Sequence, residues 1–105
     1  MPQYAVIHSH DADICPMTNK KVRDFAMKMF PSYEPLAKKL GVKVIMELHL
    51  DPDHKAFTLF EAKSAEAVRD YLVQAGYTHY TRTEFYLVTP VSELLKHADE
   101  MPTIY

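Results

Sequence analysis

The alternation of apolar and polar side chains predicts four β-strands in this chain. The alternating runs cover residues 3–10, 42–50, 55–62 and 80–88. In the first run, His8 and His10 fall on the same face as Tyr4 and Val6, because successive side chains of a strand point to opposite faces. The Asp-Pro-Asp segment 51–53 is short and turn-forming, so the second and third strands are expected to form a hairpin.

Apolar residues at spacings of three and four predict a helix between the first two strands. Thr18 is the expected N-cap, and the apolar stripe continues as far as Leu40. Pro31 lacks a backbone donor, which predicts a kink or break near Phe30. Gly41 then supplies the left-handed residue that ends the helix.

Two further helices follow from the same reasoning. Ser64 is the expected N-cap of a helix that ends at Gly76, and Pro90 begins a short helix that extends to about His97. The order of elements is therefore βαββαβ with a C-terminal helix. It predicts an α+β, ferredoxin-like domain over residues 1–105, with an antiparallel sheet of strand order 4-1-3-2 and the helices on one face.

Large apolar side chains fall on both faces of the predicted sheet, although helices cover only one of them. They are Val6, Ile45, Phe57, Phe60, Phe85 and Tyr86. An exposed apolar face of this size predicts a partner, and the usual partner is a second copy related by a two-fold axis. We therefore expect a homodimer in which two sheets face each other.

Composition and charge exclude some classes of function. The chain has 105 residues, 12 basic and 14 acidic side chains and a formal net charge of -2, so it lacks the basic field that nucleic acids require. No apolar stretch approaches the roughly 20 residues of a membrane-spanning helix, and the N-terminus lacks the pattern of a signal peptide. A cytoplasmic protein without nucleic-acid or membrane partners is expected.

The predicted topology brings most of the histidines and the single cysteine to one end of the sheet. The first strand ends in His8-x-His10, and Cys15-Pro16 follows after a short loop. The first strand is antiparallel to the third and fourth, so its C-terminal end meets the beginnings of both, where His54 and His79 lie. His49, at the end of the second strand, reaches the same edge. His97, in the last helix, is not expected to take part.

Imidazole and thiolate groups in one place indicate a transition-metal site. Two histidines separated by one residue on a strand can lean onto the same ion, and a loop thiolate adds a softer ligand. The expected ligands are His8, His10, Cys15 and His54, with His49 and His79 as alternatives. Zinc is the first expectation for the metal and nickel the second. A site with three protein ligands would keep an open position, whereas four would close it.

The layout resembles the dimeric α/β-barrel superfamily over about residues 3–90. The opening H-x-H-x4-C-P, formed by His8, His10, Cys15 and Pro16, together with a later Pro52-x-His54, is similar to that of a group of small prokaryotic proteins. This resemblance implies a shared site. The layout also resembles that of a nickel-binding ferredoxin-like protein, which makes a metal function plausible.

Other functions remain open at this stage. A small-molecule enzyme or binder, of an oxygenase or isomerase type, would use polar groups of the cleft between sheet and helices, namely Tyr4, His8, His79, Arg82, Glu84 and Tyr86. Haem could be ligated by Cys15 or a histidine, and Cys15 could act as a redox thiol. An interaction module with incidental histidines is the last alternative. Whether the protein is an enzyme is left undecided.

Overall fold

A computed structural model describes residues 1–105 and contains a four-stranded antiparallel sheet. The strands are β1 (Gln3–Ser9), β2 (Val42–Leu50), β3 (Lys55–Ala62) and β4 (Arg82–Val88). Their order in the sheet is β2-β3-β1-β4, which is the predicted ferredoxin-like order. The central position of β1 follows from its pairing with both β3 and β4.

The first helical region is divided in two, as the proline positions predict. Helix α1 (Lys20–Met29) is followed by a 3-10 turn over Phe30–Ser32 and by α2 (Tyr33–Leu40), which ends at Gly41 with φ +70°. The prediction of Thr18 as N-cap was wrong. The cap is Asn19, whose side-chain oxygen accepts a 3.1 Å hydrogen bond from the Val22 backbone N–H.

The remaining helices are α3 (Ala65–Gln74) and α4 (Val91–Lys96). The Ser64 hydroxyl accepts a 3.2 Å hydrogen bond from Ala67 N–H and caps α3 as predicted. Strand β4 begins two residues later than predicted, because a 3-10 turn over Tyr77–His79 intervenes after Gly76. His79 therefore belongs to this turn.

The core lies between the sheet and helices α2 and α3. Its largest fully buried side chains are Val6 of β1, Phe60 of β3 and Val68 of α3. Side chains directly opposite each other on antiparallel strands share a face. His8 is opposite Ala56, so its ring points to the helix side of the sheet, as does the ring of buried Tyr4.

Strand β2 contains an irregularity that sets the direction of its last side chains. The register with β3 shifts between Val44 and Met46. Beyond this bulge, Glu47 lies opposite Thr58 and His49 lies opposite Ala56. His49 therefore reaches the helix side of the sheet, where His8 also lies.

The other side of the sheet, here called the open face, carries no helix. It is formed by Ala5, Ile7, Met46, Leu48, Leu50, Phe57, Leu59, Tyr86 and Val88. Leu48 is 52% exposed and Tyr86 is 51% exposed. All residues of the C-terminal arm, residues 89–105, are exposed too. Apolar surface is thus left uncovered on the sheet and on the arm.

Candidate metal centre

Three of the predicted ligands form a group at one end of the sheet. The potential ligand atoms of His10, Cys15 and His54 all lie within 4.8 Å of one another. His10 follows β1, His54 precedes β3, and Cys15 lies in the loop that leads to α1. We call these three residues the His/Cys group. It could hold a metal ion.

His10 and His54 are neighbours because the pairing of β1 and β3 continues one residue past the strands. The His10 backbone N–H donates a 3.2 Å hydrogen bond to the His54 carbonyl oxygen, and the ring centroids are 5.1 Å apart. The His54 N–H in turn donates to the Asp53 carboxylate at 2.9 Å. A backbone hydrogen bond therefore holds the two histidines side by side.

The imidazole of His10 has one nitrogen committed to the backbone. Its Nδ1 lies 2.9 Å from the Asp11 carbonyl oxygen. Since a carbonyl oxygen can only accept, Nδ1 carries the hydrogen and donates it. The neutral ring then keeps a lone pair on Nε2, which is the form that ligates a metal, and the backbone contact orients the ring.

The loop that carries Cys15 is held by hydrogen bonds on both sides of the cysteine. Residues Ala12–Ile14 form a 3-10 turn before it. The Cys15 carbonyl oxygen accepts hydrogen bonds from Thr18 N–H at 3.0 Å and from Asn19 N–H at 2.7 Å. The side chain of Asn19 also donates to the Asp13 carbonyl oxygen at 3.0 Å. Cys15 is only 8% exposed, so the thiol is positioned in a partly closed setting.

A cavity of about 220 Å³ adjoins the His/Cys group. Besides the three group members it is lined by His8, Pro16, Met17, His49, Lys55, Ala56, Tyr77, Tyr80 and Thr81. No carboxylate is among the lining side chains. Burial raises the pKa of Tyr80, and the nearby charges of Tyr33 and Cys15 act in the same direction. Tyr80 therefore remains a neutral phenol beside the thiol.

His8 lines the same cavity but does not belong to the His/Cys group. Its ring is stacked on Tyr77 with centroids 4.8 Å apart, and the residue is only 6% exposed. Burial lowers the pKa of His8 to about 4, because the charged imidazolium loses its hydration. Its Nδ1 is buried without a hydrogen-bond partner. His8 is thus a neutral histidine in the wall of the cavity.

The two alternative ligands have other partners. His49 lines the cavity, but its Nδ1 lies 2.6 Å from the Asp51 carboxylate. His79 lies against Phe25 with ring centroids 4.9 Å apart and lines a different cavity, next to α1. His97 is near Glu100 in the C-terminal arm, at 3.2 Å. None of these three histidines belongs to the His/Cys group, although His49 lines the same cavity.

The polar groups that the alternative cleft site would require are dispersed as well. Arg82 donates to the Asp11 carboxylate at 2.8 Å, which holds the pKa of Asp11 below its usual range. Tyr86 donates to Glu84 at 2.6 Å, and both residues belong to the side of the sheet away from the helices. They do not converge on the cavity that His8 lines.

Sequence reasoning missed two tyrosines that shape the site. Tyr77 and Tyr80 enter the cavity from the turn between α3 and β4. Burial strongly raises the pKa of Tyr77. The signal in the sequence was the presence of two tyrosines within four residues after Gly76, at the end of the sheet where the histidines meet.

Fold and site together define an α+β protein of the ferredoxin-like plan with a His/Cys group that could hold a metal ion. None of its helices is long and apolar enough to cross a membrane. No family model matches the sequence, and no curated protein matches it.

Among solved structures, similarity is confined to the fold. A REP-associated tyrosine transposase bound to a REP hairpin is similar with a TM-score of 0.50 and 6% identity, over 93% of this chain and 62% of that one. This chain thus spans less than two thirds of that protein's length. A protein from Agrobacterium tumefaciens gives a TM-score of 0.48 and 10% identity, with 86% and 93% of the two chains covered. The designed protein Ferredog-Diesel gives 0.48 and 13%, with 82% and 84% covered.

Proposed function

We propose that the protein binds a divalent transition metal through His10, Cys15 and His54. The observation that supports the proposal is the convergence of two imidazoles and a thiol, from three separate segments, within 4.8 Å. Metal–nitrogen bonds of about 2.0 Å and metal–sulfur bonds of about 2.3 Å place tetrahedral ligand atoms roughly 3.3–3.6 Å apart. Side-chain rotations that move the ligand atoms by about an ångström would bring them to these distances around an ion.

The ligand set favours particular metals. Two imidazoles and one thiolate suit zinc, which prefers tetrahedral nitrogen and sulfur ligands, and nickel is the second choice. The cavity of about 220 Å³ is below the roughly 300–1,000 Å³ that accommodate drug-sized ligands, so a bare ion with a small ligand fits better than haem. The buried position of Cys15 also favours a ligand over a redox thiol that meets its substrates in solvent.

Three protein ligands leave one position of a tetrahedral ion free. His8 lines the same cavity, but it does not belong to the group whose ligand atoms lie within 4.8 Å of one another. We therefore place His8 beside the metal, without a bond to it. His49 and His79 are not ligands in this proposal, because neither belongs to the group whose ligand atoms lie within 4.8 Å of one another.

Elemental analysis of tag-free protein by mass spectrometry tests the proposal. We expect about one zinc or nickel ion per chain in the wild type. The metal content of His10→Ala and Cys15→Ser should be strongly reduced, because losing one of three ligands removes about a third of the bonds to the ion. His8→Phe keeps an aromatic ring against Tyr77 and should retain the metal.

His97→Ala is the matched control, because it removes an imidazole far from the group. Equal metal content in the wild type, His10→Ala, Cys15→Ser and His97→Ala would contradict the ligand assignment. Loss of metal in His8→Phe, with unchanged folding, would restore His8 as a ligand.

We also propose that the subunit forms a homodimer through its open face. The support is the apolar surface formed by residues such as Met46, Leu48 and Tyr86, which no element of the chain covers. Burying such a surface against a copy of itself removes apolar area from water on both subunits.

A further inference from the structure

The cavity beside the His/Cys group has a chemistry that defines what it would hold. This inference rests on the proposed function, in which a metal ion bound by His10, Cys15 and His54 keeps one free coordination position. The only sizeable space that adjoins all three residues is the cavity of about 220 Å³ that they line. A ligand for the free position would occupy this cavity.

The charge of the site favours an anion. A divalent ion with two neutral imidazoles and one thiolate keeps a net charge of +1, and no carboxylate lines the cavity. Three acidic side chains on the neighbouring loops already have partners: Asp11 pairs with Arg82 at 2.8 Å, Asp51 with His49 at 2.6 Å and Asp53 with Lys55 at 3.6 Å. A single negative charge would neutralise the metal centre in its partly buried surroundings.

The walls of the cavity favour a flat, apolar body on this anion. Tyr77 is stacked on both His8 and Tyr33, with ring centroids 4.8 Å and 5.3 Å away, so it offers the edge of its ring to the cavity. Tyr80 lies near His10 in a tilted arrangement and near Phe25 in an edge-to-face arrangement, with ring centroids 6.4 Å apart in both pairs. Aromatic faces bind other aromatic rings more strongly than they bind small aliphatic groups.

We propose that the cavity binds a small aromatic carboxylate, with the carboxylate on the metal and the ring against Tyr80 and the edge of Tyr77. No bond of the ligand breaks in this step, because a carboxylate oxygen only takes the open coordination position. The proposal assigns this chain a small-molecule ligand, and it assigns Tyr80 a role in selecting it.

Cobalt(II) is a suitable probe, because its visible spectrum reports on thiolate ligation and on changes in the fourth ligand. We would titrate the cobalt-loaded, full-length protein with benzoate and with acetate. Benzoate should shift the cobalt bands and bind about tenfold more tightly than acetate, since contacts with two aromatic walls contribute about 1.4 kcal/mol in total.

Tyr80→Leu should reduce the preference for benzoate to less than about threefold, because one aromatic wall is lost. Tyr105→Leu is the matched control, since Tyr105 is fully exposed at the end of the C-terminal arm and does not line the cavity. It should leave the preference unchanged. Circular dichroism and cobalt content would verify that both variants fold and load.

Four results would overturn the inference. Equal affinities for benzoate and acetate would mean that the anion site does not select an aromatic ligand. An unchanged preference in Tyr80→Leu would mean that Tyr80 does not contact the ring of the ligand. A protein with one cobalt per chain whose spectrum neither anion alters would refute the anion site alone. A protein that takes up no cobalt would refute the metal proposal as well.

Discussion

His8 and His10 are separated by one residue of the chain, yet they meet different surroundings. His8 is enclosed under the helices and stacked on Tyr77, whereas His10 lies just past the end of β1, hydrogen-bonded to the Asp11 carbonyl. The same side chain is thus a neutral wall residue at one position and a candidate ligand at the other. The two residues differ because His8 lies within β1, whereas His10 lies just beyond its end.

The buried position of His8 predicts a pH dependence of stability. The pKa of His8 is lowered from 6.5 to about 4, so between these values the unfolded chain binds a proton that the folded chain excludes. Stability therefore falls as the pH drops from about 6.5 towards 4, by on the order of 3 kcal/mol from this group. Urea unfolding of metal-free protein at several pH values would measure it.

The control is His8→Phe, which cannot titrate. Its stability should decline less over the same pH range. If the wild type and His8→Phe lose stability in parallel, His8 does not account for the acid sensitivity.

The two glycines offer a second prediction at this scale. Both have left-handed φ angles, +70° at Gly41 and +89° at Gly76. A Cβ at Gly41 would meet nothing within 4 Å, whereas one at Gly76 would lie 2.7 Å from Cζ of Phe25. Gly41→Ala should cost about 1 kcal/mol from backbone strain, and Gly76→Ala should cost clearly more, since strain and a steric clash add.

Denaturant midpoints of the two variants would test this comparison. Equal midpoints would mean that the Phe25 ring moves aside freely.

At the scale of elements, the start of α1 and the cysteine loop are coupled by one side chain. Asn19 accepts from Val22 N–H to cap the helix and donates to the Asp13 carbonyl to hold the loop. The position of Cys15 therefore depends on the helix that follows it.

Asn19→Ala should lower stability by about 1 kcal/mol through the lost cap and should also weaken metal binding several-fold, because the loop loses its anchor. Ser64→Ala removes the cap of α3 at a similar cost, yet Ser64 does not contact the loop. Metal titrations and thermal unfolding of both variants would separate the two effects. If Asn19→Ala binds metal as tightly as Ser64→Ala does, the coupling is absent.

Much of the arrangement of strands and helices could be predicted from the sequence. The period-two runs gave β2 and β3 with the observed limits, and the antiparallel order brought His10, Cys15 and His54 to one end. The bulge at Val44/Met46, which turns His49 to the helix side, leaves no periodic signal. The delayed start of β4 and the stacking of His8 on Tyr77 likewise depend on packing between distant segments, which local patterns do not encode.

At the scale of the whole molecule, the open face and the C-terminal arm leave apolar surface exposed. Folded monomers rarely keep a large contiguous apolar patch in water, so the sheet is the expected contact between subunits. Leu48 lies on this face and is 52% exposed.

Leu48→Glu should convert the proposed dimer to a monomer, because the two-fold contact would bury a carboxylate on each side. Met27→Glu is the control, since Met27 is 65% exposed but belongs to α1, on the helix side. Sedimentation velocity at several concentrations would give the molecular masses. A monomeric wild type, or a Leu48→Glu variant that stays dimeric, would contradict this interface.

The backbone hydrogen bond between His10 and His54 has a consequence for how quickly a bound ion could leave. The two imidazoles stay together only while the ends of β1 and β3 remain paired, and they are separated by more than forty positions along the chain. Release of the ion therefore requires this end of the sheet to fray, and each bound ion in turn suppresses fraying. The lifetime of the complex would be set by the rate at which these two strand ends open. A change that slows amide hydrogen exchange at this edge should therefore slow the release of the metal as well.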